Sequence, residues 1–171
     1  MAEPARLVEV RGRTAVRFVR RHPQPVTRVW DAVTAPEELA RWFPSPEVTY
    51  LPQVGARIVF AGDPNLPASV GTVLAWEPER LFALGWGGDE LWIEVGPDGE
   101  DTVLSLTDVL DSADAAARNA AGWEVCLRAL DRALEDLAGH VPPDGSDLSW
   151  YESYQRYIDA GFPSGATVPG L

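Results

Sequence analysis

One stripe of residues restricts the fold more than any other feature. Ala116, Ala120, Trp123, Leu127, Leu130, Leu134 and Leu137 recur at alternating steps of four and three. Residues so spaced line one side of an α-helix, because a turn takes about 3.6 residues. Arg118, Glu124, Arg128, Asp131, Arg132, Glu135 and Asp136 fall mainly elsewhere on the helix. The stretch reads as an amphipathic helix of about 22–25 residues with one continuous buried stripe. Gly139 stands where such a helix stops. A stripe of that length needs an apolar surface of similar length to cover it.

A sheet supplies that surface. Between 47 and 109 the segments "EVTYL", "ARIVF", "GTVLAWE", "LFALGW", "ELWIEV" and "TVLSLTDV" are separated by "PQVG", "GDPNLP", "EPER" and "GPDGED". Such spacing, at roughly ten residues, predicts an antiparallel meander, and no helical crossover for parallel pairing is in view. Upstream, 7–10 and 14–20 alternate on either side of Arg11-Gly12, which predicts a hairpin. Val16 and Phe18 share one face of its second arm, and Arg17 and Val19 the other.

Between hairpin and meander, "VWDAVTAPEELARWFPSP" packs two tryptophans and three acids among prolines. It resolves into two short helices, with Thr27 as cap of the first and Thr34 as cap of the second. Pro36 suits a first helical turn, and Pro44 and Pro46 stop the second helix. The predicted fold class is α+β: a helix-grip fold, a curled antiparallel sheet wrapped around a long C-terminal helix. The domain is taken as residues 1–140, followed by an extension, 141–171, with one short amphipathic helix and a tail, "FPSGATVPGL", that should fray.

Charge narrows the partners. The net charge is −12, all fourteen basic residues are Arg, and seven of those fall within the first thirty positions. A balance this acidic disfavours nucleic acid and anionic membranes. The absence of Lys removes Schiff-base chemistry. One cysteine, Cys126, fits a reducing compartment. With no apolar leader and no run of about 18 apolar residues, the chain reads as soluble and cytoplasmic. The richness in Arg, Gly and Pro points to a bacterial coding sequence.

Several of these segments carry a family likeness. "VWDAVTAPEELARWF" resembles the opening signature of the START-like, or SRPBCC, superfamily, in the branch of the activator of heat-shock-protein-90 ATPase. "GTVLAWEPERLFALGW", "DTVLSLTD" and "GWEVCLRALDRAL" follow in that branch's order. The resemblance implies a deep cavity between sheet and helix, used for apolar or amphipathic small molecules. It implies no shared reaction, since the superfamily spans binders, cyclases, lipid carriers and a co-chaperone. Asp108 departs from it, standing where many relatives carry histidine.

Candidates for chemistry are few. His22 and His140 read as exposed loop residues, and "GxSxG" is missing. No zinc-ligand spacing is present. Cys126 reads as a structural thiol. Asp108, Asp111 and Asp114 suit the approach to the helix dipole, and "GPDGED" reads as a hairpin turn. Glu94 shares a strand face with Trp92, either toward solvent, the preferred reading, or as a polar handle inside the cavity. Trp30 reads as core.

The leading reading is a binding protein for a hydrophobic or amphipathic small molecule, with no cofactor, no metal and no evident catalysis. Cavity candidates are Phe18, Trp42, Phe60, Phe82, Leu84 and Trp86, continued by Trp92, Leu104, Leu106, Asp108, Trp123 and Leu127. An alternative is a cyclase, dehydratase or hydrolase with Glu94 or Asp108 as acid/base; another is a module regulating a chaperone ATPase. The segment from Asp147 to Ala160 carries Trp150, Tyr151, Tyr154, Tyr157 and Ile158 on one flank. It reads as a helix docked outside the domain, with a lid or homodimer contact as the sharper option.

Overall fold

The structure is a computed structural model that describes residues 2–64, 66–135 and 147–168. Eight strands form one antiparallel sheet: β1 (Arg6–Val10), β2 (Arg13–His22), β3 (Glu47–Thr49), β4 (Arg57–Ala61), β5 (Ser69–Glu77), β6 (Leu81–Trp86), β7 (Asp89–Asp98) and β8 (Asp101–Val109). Helices α1 (Val26–Thr34) and α2 (Pro36–Leu39) follow β2, α3 (Ala116–Glu135) follows β8, and α4 (Asp147–Asp159) follows α3. The order across the sheet is β1-β2-β8-β7-β6-β5-β4-β3. The meander runs from β3 to β8, and β8 then pairs with β2, so the first hairpin extends it. The chain crosses from β2 to the opposite edge through α1 and α2 alone.

The sheet curls around α3, as the helix-grip reading requires. Side-chain alternation sorts each strand into a concave and a convex row. On β2 the concave row is Val16, Phe18, Arg20 and His22; opposite them on β8 stand Asp108, Leu106, Leu104 and Thr102. Leu91, Ile93 and Val95 of β7 continue the surface, as do Phe82 and Leu84 of β6. Against it α3 sets Ala116, Ala120, Trp123, Leu127, Leu130 and Leu134, none more than 7% exposed. The stripe read from the sequence is the buried one; Leu137 and Gly139 lie outside the described residues.

The helix caps differ from expectation. Thr27 lies inside α1, whose N-cap is Pro25, and α2 starts from Ala35. Thr34 instead donates its hydroxyl to the Trp30 carbonyl at 2.7 Å, an i−4 back-bond open to any Thr within a helix. Pro36 occupies the first turn of α2, where a missing N–H costs nothing.

The C-terminal part makes specific backbone contacts. Phe162 N–H bonds the Tyr157 carbonyl and Gly161 N–H that of Ile158, the Schellman pattern, with Gly161 at φ +91°. The segment after it, 162–168, folds back onto the start of α3. Ala117 N–H, an orphan donor of the first turn of α3, bonds the Pro163 carbonyl at 2.9 Å, and Arg118 Nη1 bonds that of Thr167 at 2.8 Å. The boundary at 140/141, with His140, lies outside the described residues. Among the described residues no helix is long and apolar enough to cross a membrane.

Candidate functional site

The concave face ends on a buried acid. Asp108, near the end of β8, is only 3% exposed. Asn119 and Trp123 lie one turn apart on α3, so Asn119 Nδ2 and Trp123 Nε1 both reach its Oδ2, each at 2.9 Å. Asn119 Nδ2 also donates to Asp89 Oδ2 at 3.1 Å, and Asp89 Oδ1 accepts the Asp111 backbone N–H at 2.8 Å. Burial, then the neighbouring Asp89 charge, pushes the Asp108 carboxyl from 3.8 up to about 7. The hydrogen bonds from Asn119 and Trp123 and the charge of Arg118 oppose that rise without cancelling it.

Trp123 also opens a column of aromatic rings. Its centroid lies 5.6 Å from Phe43, Phe43 lies 5.7 Å from Trp86, and Trp86 stacks on Phe60 at 4.3 Å. Gly71, opposite Trp86, makes the last contact feasible: a Cβ there would stand 2.9 Å from the Phe60 ring and 2.3 Å from the Gly85 carbonyl. A second group lies farther along the sheet, with Trp76 at 5.2 Å from Trp30 and 5.3 Å from Phe82, and Tyr50 stacked on Phe82 at 5.1 Å. The Tyr50 hydroxyl donates to the Thr34 carbonyl, and burial raises its pKa further above the usual phenol value.

Seven of the candidate residues are packed in the core. Phe18, Phe60, Phe82, Leu84, Leu104, Leu106 and Leu127 are all buried on the concave side or against it. Trp42 is buried too, but its indole N–H is held by the Ala32 carbonyl at 2.8 Å, so it ties the segment after α2 to α1. Trp92 lies elsewhere. It sits on the convex row, donating to Glu90 at 3.0 Å beneath the Arg11 guanidinium. Glu94, two residues on, shares that row and is exposed. Period-two alternation separates both from Leu91, Ile93 and Val95. Phe43, Tyr50 and Trp76 were not among the candidates. A register shift between Val73 and Ala75 sets the facing of Trp76, and a bulge leaves no residue-level signature.

His22 corrects a second expectation. It is 5% exposed, not a loop residue, because β2 runs through it to the concave side. Arg20, on the same row, is also 5% exposed. Burial, then the Arg20 charge, lowers the His22 pKa, so the ring is neutral at pH 7. Its Nδ1 stands 3.8 Å from Asp131 Oδ1. Half-buried Cys126 has its thiol pushed up to about 12 by burial. Among the described residues no group of three or more His, Cys, Asp or Glu could hold a metal ion.

A sequence model of the family described as activator of Hsp90 ATPase homolog 1-like protein matches residues 23–135. No curated protein matches the chain. Solved structures share the fold. CalU16 from Micromonospora echinospora, in its solution structure, is 22% identical with a TM-score of 0.70, over 94% of this chain and 92% of that one. The conserved protein EF2215 from Enterococcus faecalis, of unknown function, is 16% identical with a TM-score of 0.72, over 91% and 89%. The protein encoded by BPP1335 of Bordetella parapertussis is 27% identical with a TM-score of 0.67, over 92% and 90%.

Proposed function

This chain belongs to the activator of Hsp90 ATPase homolog 1-like family, and from that premise we propose that it binds an apolar or amphipathic small molecule on its concave face, without chemistry of its own. One observation carries the reading. The aromatic column of Phe60, Trp86, Phe43 and Trp123 leads to Asp108, a carboxyl held by two donors at the end of that column. Ligand sites are built this way, with wide apolar walls and a few placed polar groups. Asn119 and Asp89, the polar partners at this end, are only half-buried. The single thiol suits a reducing, cytoplasmic setting.

Native mass spectrometry of protein from its own host would report a retained ligand and its mass. Titration with an environment-sensitive apolar dye should show one saturable site and a change in tryptophan emission. If neither a retained ligand nor saturable binding of any dye, fatty acid or aromatic compound is found, the reading fails. A second reading rests on the Asp108 carboxyl lying near 7, where a general acid–base is most effective. An enzyme of that kind would show a pH–rate limb near neutrality that Asp108→Asn removes.

A further inference from the structure

The concave row of β2 changes character midway. Val16 and Phe18 are apolar, whereas Arg20 and His22, next on the same row, are polar and 5% exposed each. Burying a guanidinium costs several kcal/mol unless its donors are met, and here they are met only in part. Arg20 Nη1 donates to the Glu3 and Val19 carbonyls, while Nε is buried with no partner. His22 Nε2 is likewise buried and unpartnered, and its Nδ1 is beyond hydrogen-bond range of Asp131 at 3.8 Å. The neutral ring is therefore free to carry its proton on Nε2. The guanidinium carbon lies 5.2 Å over the Phe18 ring, which joins this polar end to the apolar surface.

We propose that Arg20 and His22 form the head-group site for the ligand, and that the head is a neutral carbonyl oxygen, as in a ketone, ester or lactone. The inference rests on the ligand-binding reading above. Two unspent donors on one strand row, a residue apart, suit one oxygen with two lone pairs. Asp131 decides between a carbonyl and a carboxylate. Its negative field, with that of Glu124, already faces Arg20, so a further carboxylate would meet repulsion where a neutral oxygen does not. An ammonium head would face the guanidinium itself.

Displacement of the bound dye by 2-nonanone, nonanoate and nonylamine tests this, since the three share a chain length and differ in the head. The ketone should bind about tenfold more tightly than the amine, the worth of a hydrogen bond from a charged donor, with the carboxylate weaker than the ketone. Arg20→Leu should flatten that order, and His22→Leu should reduce it; the second variant decides the matter if the first does not fold. Equal binding of the three heads, tighter nonanoate, or an order unchanged in a folded variant overturns the head-group site and leaves the ligand-binding reading standing. A dye that binds to no saturable site overturns the ligand-binding reading itself.

Discussion

The two sides of α3 are held by different physics. Toward the sheet, Leu127, Leu130 and Leu134 bury apolar surface, which is non-directional and tolerant of small shifts. Toward α4, the centre is a buried acid. Glu124, 7% exposed, accepts from the hydroxyls of Ser153 and Tyr157 and from Arg156 Nη2 at 2.7 Å. Tyr157 in turn receives the Ala5 N–H at 2.9 Å, so the network also ties down the start of β1. One side depends on area; the other depends on every partner being present.

Replacements should separate the two sides, beginning with the most damaging. Leu130→Asp puts an unpaired charge into the apolar stripe at a cost of at least several kcal/mol, and the domain should unfold. A circular dichroism melt near the wild-type midpoint would break the face assignment. Glu124→Ala leaves Ser153, Tyr157 and Arg156 without their shared acceptor, at about 2 kcal/mol. Limited proteolysis should then cut within 147–159 before the sheet is lost. Simultaneous loss of α4 and the sheet would mean that the two sides are one cooperative unit.

Asp108 tests the sheet-facing side through pH. Its pKa is raised from 3.8 to about 7 in the folded state, so between those values the native protein holds a proton that the unfolded chain has released. Stability therefore falls as pH rises from about 4 to about 7, and the penalty is complete above that. Asp108→Asn keeps an acceptor for Asn119 and Trp123 without the charge. Its melting temperature should exceed that of the wild type at pH 8, with the gap closing toward pH 4. A pH-independent gap would show that Asp108 is not the titrating group.

Two milder changes set the lower end of the scale. Gly161→Ala forces a side chain onto the left-handed turn that ends α4, at about 1 kcal/mol, with the loss confined to the C-terminal segment. Glu94→Gln, on the exposed row, should alter stability by less than about 0.5 kcal/mol and leave dye binding unchanged. Weakened dye binding would return Glu94 to the site.

The long helix, the six-strand meander and the two short helices were legible in the sequence because each is written in a local period, 3.6 for α3 and two for the strands. The facing of Phe18, Leu104 and Leu106 followed from the same alternation. What the periods could not supply is which polar residue has a distant partner. Glu124 stands on the charged side of the α3 pattern, and only the return of α4 buries it. His22 borders a proline and reads as loop, yet β8 pairs with β2 as far as Thr102 and takes the ring inside. Trp76 depends on a bulge, and the return of 162–168 depends on the Ala117 N–H and the Arg118 guanidinium at the start of α3. These features were decided by the tertiary structure, because the burial of a polar group is set by what lies across from it in space, which no stretch of neighbouring residues encodes.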